Sequence, residues 1–403
     1  MNIESFLNLV KQHSKYRNES INLIASENYT SPLVKAMLST DLGSRYSAEY
    51  YGGTKFIQKI INKTESFIRD LFNADYAIIS ALSGNLCVLA SIFGFTKFNE
   101  KILVVEAGEN GGYPLDYEFF GRKKITFDFS KESMNILIEE NINKIKQQKP
   151  KLVIFGASFI PFPEPVNEII KEFEKRKTIH FAYDGSHVLG LIAGKTFQNP
   201  LVEGAHVLLG STHKSFPGPQ GGIILTNDME RYDILTSILD LDLEKGIRLV
   251  DNNHPNRIAA LGVATLEMIE YGEEYAQQIV KNSKALANSL SNHGVPVKFK
   301  KIGFTESHQV IINTANFEEG SKIKERAEKI GLMIDAGIRL GTSEVTRMGM
   351  KELEMKEIGE IFAKMYFDEI TSNTQRRIND LANLFSNPIF CFENSDELMN
   401  NII

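Results

Sequence analysis

The chain of 403 residues has only two cysteines, Cys87 and Cys391, far apart and in no CxxC pattern. That excludes a disulfide framework and a cysteine-based metal site. A surplus of positive charge is also missing: 45 Lys and Arg stand against 51 Asp and Glu, a net charge of −6. Such a balance supplies no field to hold nucleic acid or an anionic membrane. No apolar run approaches the ~18 residues a membrane helix needs. The first twenty residues, "MNIESFLNLVKQHSKYRNES", carry charge throughout and lack the apolar core of a signal peptide. Neither GxGxxG nor GxxxxGK[ST] occurs, so the two common glycine-rich nucleotide cradles are absent. The expectation is a cytoplasmic protein that binds no nucleic acid, membrane or metal.

What is present is an ordinary globular composition, 42% hydrophobic and 24% charged, long enough for two or three domains. Ile3, Phe6, Leu7, Leu9 and Val10 at near-helical spacing predict an amphipathic arm over residues 1–30. From about residue 55 helical and strand patterns alternate. "KFIQKIINKTESFIRDLFN" and "NLCVLASIFGF" read as helices. "YAIISALSG", "KILVVEAG", "PKLVIFGAS", "TIHFAYDGSH", "AHVLLGSTHK" and "GGIILTN" read as short buried strands. "EPVNEIIKEFEKRK" reads as another helix. Apolar strands separated by helices predict an α/β fold with a mainly parallel sheet covered on both faces. That large domain is expected over 31–262. A long helical run from 262 to 294 leads to a smaller α+β domain over 263–370, and 371–403 form a terminal helix and tail.

In parallel α/β sheets ligands bind outside the carboxyl ends of the strands. Those ends hold Ser83-Gly84-Asn85, the 108–113 loop, Ser158, Asp184 with His187 one turn on, and His213-Lys214. Each has an ordinary reading: Ser83 and Asp184 as helix caps, His187 as a core histidine, Lys214 as a surface lysine. Together they suit pyridoxal phosphate. Lys214, between a Thr-His pair and a Gly/Pro turn, would supply the Schiff base, and Asp184 would hold the proton on the pyridine nitrogen. The "SGNL" helix start would offer N–H groups to the phosphate. Cationic neighbours and partial desolvation would help the lysine lose its proton.

Five stretches then carry a resemblance: "NLIASENYTSP" (22–32), "YYGG" (50–53), "YDGSHVLGLIAGKTFQNPL" (183–201), "THKSFPGPQGGIIL" (212–225) and "GIRLGTSEVTRMGM" (337–350). In order and over about residues 20–365, the chain resembles serine hydroxymethyltransferase. The resemblance implies the aspartate-aminotransferase fold, with a large domain built on a seven-stranded sheet. It also implies a dimer or a pair of dimers with shared active sites, with a homodimer expected, acting on a small amino acid. It aligns Lys214 with the Schiff-base lysine and Asp184 with the partner of the ring nitrogen. His187 and Ser158 fall near the ring hydroxyl, and Ser83, Gly84 and Asn85 in the phosphate turn. His213 joins the cofactor set. Arg339 matches the substrate-carboxylate clamp, a role that suits a planar two-pronged donor. Ser26 and Tyr46 match further substrate-side positions, and Glu49 the glutamate that handles the β-hydroxyl proton.

Departures from the family pattern bear on the reaction. "GLMIDAGIRLG" runs directly from strand to Arg339, without the usual insertion holding a folate-contacting asparagine. The "HGGH" stretch reads "NGGY", which puts Tyr113 where a histidine stacks on the ring, and Gly108 and Pro114 replace folate-contacting leucines. The phosphate turn reads Ser-Gly-Asn-Leu for Ser-Gly-Ser-Gln. The glycine-rich segment that reaches the partner's phosphate reads "LVDNNHPNRIAAL", with Asn252, Asn253 or His254 in its place. The Tyr46–Tyr50 loop is short. Retro-aldol cleavage needs no folate, so the expected function is aldol chemistry on a β-hydroxy-α-amino acid without it. The alternative is a folate-using hydroxymethyltransferase with an altered site.

Overall fold

The computed structural model describes residues 2–48, 50–174, 178–240, 246–393 and 395–400. The chain divides into two compact units, Thr30–Ala276 with Cys391–Ile403, and Met1–Tyr29 with Gln277–Phe390.

The first unit is built on seven strands: β1 Tyr76–Ile78, β2 Lys101–Val104, β3 Lys123–Thr126, β4 Leu152–Phe155, β5 His180–Asp184, β6 Val207–Ser211 and β7 Gly222–Thr226. Their order across the sheet is β1-β7-β6-β5-β4-β2-β3. Strand β7 is antiparallel to both neighbours, and the other pairings are parallel. This is the mainly parallel seven-stranded sheet that the apolar runs predict. Every residue of β4, β6 and β7 is buried, as expected of strands covered on both faces.

The helix Gly84–Phe95 packs on the sheet through Cys87, Val88, Ile92 and Phe95, beside Ile154, Leu209 and Ile224. Ile57, Ile61, Ile68 and Phe72 form the buried stripe of the helix Lys55–Phe72. Among the elements that differ from their sequence reading, two have a plain physical reason. The edge strand Lys123–Thr126 went unread because its lysines are exposed, the usual protection of a sheet edge. Of the helix read into 164–177, Val166–Ile170 forms and continues as a 3₁₀ turn over Lys171–Phe173, while residues 175–177 lie outside the described residues.

The second unit has a core of Leu23, Leu286, Val310, Leu332, Leu340 and Phe362, among others. Two short pairings organise it. Ile21–Asn22 runs parallel to Leu332–Met333, and Gln309–Ile311 runs antiparallel to Arg339–Gly341. The amino-terminal helix Ile3–Asn18 forms as expected, with Asn2 Oδ1 accepting from the Ser5 N–H. Its apolar residues Ile3, Phe6, Leu7, Leu9 and Val10 are all exposed.

Gly341 is a point of close backbone approach in this unit. A Cβ there would lie 2.4 Å from Ala25 Cα, while the Gly341 N–H donates to Leu23 O at 2.7 Å. Gly341→Ala must push backbone from backbone. We expect it to lower unfolding free energy by about 1–3 kcal/mol, measured by denaturant titration; unchanged stability would mean that the two segments are not held this closely.

Candidate active site

The carboxyl ends of β1, β4, β5 and β6 bring most of the predicted residues to one edge of the first unit. Asp184 closes β5, paired in register with Leu209. Its Oδ1 accepts from the Ser186 N–H at 3.0 Å. It keeps some surface but is set deep in protein; burial pushes its pKa up, while Ser186 and the Lys214 charge pull it back. Lys214 follows β6 on a tight turn. The Gly218 N–H donates to Thr212 O at 2.9 Å and the Thr212 hydroxyl to Pro219 O at 2.6 Å. Gly190 seats the other side of that turn, because any Cβ on it would lie 2.3 Å from Ser215 O.

Lys214 Nζ is 3.2 Å from His187 Nε2, and His187 is only 4% exposed. His213 is held at a pKa of about 4, first by burial and then by Lys214. Its buried Nδ1 has no hydrogen-bond partner among the described residues. Three residues short of Lys214, Ser211 points at the start of the Gly84–Phe95 helix: a Cβ on Gly84 would stand 2.2 Å from Ser211 Oγ and 3.0 Å from Ser186 Oγ. Ser83 caps that helix by accepting from the Leu86 N–H at 3.2 Å, which is its ordinary reading. The cap takes the Leu86 N–H; the other N–H groups of a helix's first turn are the kind that face an anion. The Tyr113 hydroxyl donates to Asn85 Oδ1 at 3.2 Å, and burial followed by the Asp184 charge raises its pKa. The Ser158 N–H donates to Gly111 O at 2.8 Å, which ties the 108–113 loop to the end of β4.

The remaining predicted residues lie elsewhere. Arg339 and Ser26 belong to the second unit, where they are near one another: Ile24 bridges Leu340, and Gly341 is pressed on Ala25. Arg339 is 8% exposed, with its Nη2 3.2 Å from Asp335 Oδ2. Burial lowers its pKa and Asp335 restores part of it. Tyr46 is exposed in the first unit, its ring 5.0 Å from that of Tyr51. Glu49 lies outside the described residues. Asn252 donates to Arg45 O at 3.3 Å, and Asn253 O accepts from buried Arg257 at 3.0 Å. Ser186, Ser211 and Glu164 are polar groups of this edge that the sequence reading missed. The first two stand in the Asp184-Gly-Ser and Ser-Thr-His-Lys motifs and were open to recognition.

Residues 2–362 match the family profile described as serine hydroxymethyltransferase. A serine hydroxymethyltransferase of Methanobrevibacter smithii is 37% identical over 97% of this chain and 96% of its own length. That of Methanocaldococcus jannaschii is 38% identical, covering 96% and 95%. The chain belongs to the serine hydroxymethyltransferase family. Among solved structures, L-threonine transaldolase from Pseudomonas fluorescens, crystallised in its internal aldimine state, superposes with a TM-score of 0.91. It covers 99% of this chain and 96% of that one at 25% identity.

This member of the serine hydroxymethyltransferase family is therefore a pyridoxal-phosphate-dependent transferase-type enzyme of amino-acid metabolism, with the fold of its transaldolase neighbour. Its chemistry is that of the Cα–Cβ bond in serine- or threonine-type amino acids. The residues fit the cofactor: a lysine amine beside a histidine, a carboxyl set deep in protein, and a helix start that only glycine lets close. Among the described residues, no helix is long and apolar enough to cross a membrane.

The depressed histidine carries a pH signature. His213 titrates at about 4 when folded against 6.5 as its ordinary value. Between those values the unfolded chain binds the proton and the folded one does not, so stability is full above about pH 6.5 and falls toward pH 4. His213→Asn should flatten part of that slope in thermal melts of the apoprotein; an unaltered slope would mean that His213 protonates freely in the fold.

Proposed function

We propose that this enzyme makes and breaks the Cα–Cβ bond of a β-hydroxy-α-amino acid, with glycine as the amino-acid product, and does so without folate. The observation that carries the reading is the direct passage from Leu332–Met333 to the arginine strand Arg339–Gly341. The short segment 334–338 between them lacks the insertion that bears the family's folate contact. The likeness to a threonine transaldolase over nearly the whole chain supports it.

Pyridoxal phosphate, when bound, supplies the electron sink that makes loss of the Cβ carbon possible. The residues divide the remaining work. Lys214 offers its amine beside His187, and the neutral His213 adds no further positive charge next to it. Asp184, Ser158 and Tyr113 provide the seat for the ring, and Ser83, Gly84 and Asn85 the turn for the phosphate, with Ser186 and Ser211 beside it. Arg339 takes the substrate carboxylate, with Ser26 nearby, while Asp335 pairs with the buried guanidinium until substrate arrives. Glu49 accepts the β-hydroxyl proton as the aldehyde leaves, aided by Tyr46. We place the enzyme in the cytoplasm as a homodimer with shared sites. Two cysteines in 403 residues suit a reducing compartment, and the exposed apolar helix Ile3–Asn18 suits a partner subunit.

The holoenzyme should release glycine and acetaldehyde from threonine in folate-free buffer, and tetrahydrofolate should leave the rate of serine cleavage unchanged. The named function of the curated relatives favours a second reading. A saturable rise in serine cleavage with tetrahydrofolate would establish it and overturn ours. Arg339→Lys should raise the KM for the amino acid roughly 10-fold or more, by losing one charge-assisted hydrogen bond. The visible cofactor absorption should be unaffected; an unchanged KM would remove Arg339 from the clamp.

A further inference from the structure

Glu164 is a carboxyl in the interior of the first unit, 6% exposed, on the segment that follows β4. Its Oε2 accepts the Gly156 N–H at 2.6 Å. Its own backbone is fastened on the other side: the Glu164 N–H donates to Gln198 Oε1 at 2.7 Å, and Gln198 Nε2 donates to Glu164 O at 2.9 Å and to Glu203 Oε2 at 2.6 Å. The Tyr183 hydroxyl donates to the same Gln198 Oε1 at 3.1 Å. The side chain is thus a fixed acceptor.

Gly156, which it holds, lies flush against Asp184. Its φ is +88°, and a Cβ on it would come 2.1 Å from Asp184 O. Both features require glycine. Two residues later the Ser158 and Phe159 N–H groups share Gly111 O, at 2.8 and 3.0 Å, at the root of the loop that carries Tyr113. Residues 156–159 therefore link the three groups assigned to the cofactor ring: Asp184, Ser158 and Tyr113. One end of that link is fixed by Gly111 and the other by Glu164. Without an acceptor at 164 the Gly156 N–H would lie buried and unpaired, and the segment would have to shift to find another partner.

We propose that Glu164 is a positioning residue: by holding the Gly156 amide it sets Ser158 and the Tyr113 loop against Asp184, and so fixes how the ring sits on its carboxylate. The electrostatics agree. Burial, then the Asp184 charge, raise the Glu164 pKa to about 7, with the Gly156 N–H pulling it down between them in strength. Asp184 is the charge that raises it; Glu164 in turn, after burial, helps to raise the Tyr183 pKa, and Tyr183 and Glu203 both hydrogen-bond the Gln198 amide that fastens the Glu164 backbone. Both protonation states keep an oxygen for the Gly156 N–H, so the clamp works on either side of neutral pH. Glutamine would keep the acceptor as well.

The inference rests on the assignment of Asp184, Ser158 and Tyr113 to the ring, and the experiment separates the two. Purified apoprotein is titrated with pyridoxal phosphate, reading the dissociation constant and the visible circular dichroism of the bound cofactor, for wild type, Glu164→Gln, Glu164→Met and Asp184→Asn. Glu164→Met should weaken binding about 10-fold and diminish or shift the dichroic band, while Glu164→Gln stays close to wild type in both. A Glu164→Met protein with normal affinity and band, merely less stable as apoprotein, would overturn the proposal. So would equal losses in Glu164→Met and Glu164→Gln. If Glu164→Met does not fold, Glu164→Gln decides: a changed band there rejects the clamp. Normal behaviour of Asp184→Asn would instead show that the ring assignment itself is wrong.

Discussion

A carboxyl group set deep at the end of a buried parallel strand is the constraint on which the site depends. Asp184 cannot hold its charge there without help, because a buried carboxylate is costly unless it is hydrogen-bonded and paired. Ser186 and the attraction of Lys214 supply part of that help. A ring cation on its carboxylate would supply the rest. The neighbouring features follow from keeping this carboxyl in place. Glycines at 156 and 190 let backbone pack against backbone. The Lys214 turn is braced by its own hydrogen bonds, and Glu164 secures the segment behind.

Much of this was legible in the sequence, for a physical reason. Strands of a parallel sheet all end on one side, so Ser83, Ser158, Asp184 and Lys214 could be assigned to one edge from apolar runs and their termini alone. Such runs mark buried strands well and edge strands poorly, and Lys123–Thr126, with its exposed lysines, escaped for that reason. The helix over 166–173 was overread because its charged continuation keeps the helical period after the structure tightens to a 3₁₀ turn.

Glu164 was illegible on different grounds. In "PFPEPVNE" it looks like one more surface acid ahead of a helix. Only the fold reveals that its partner, eight residues back, is a buried amide at φ +88°. Roles that arise from the packing of one loop on another leave no periodic trace. The resemblance carried Arg339 and Ser26 where spacing could not, since they belong to the second unit, and the local bridge between Ile24 and Leu340 explains why the two stretches go together.

Everything at this site depends on which lysine holds the cofactor. Sodium borohydride reduction of the holoenzyme, followed by proteolysis and mass spectrometry, reads this directly. The prediction is a single pyridoxyl-phosphate adduct on the peptide containing Thr212-His213-Lys214. An adduct on any other lysine, with Lys214 unmodified, would contradict the site described above and the mechanism built on it.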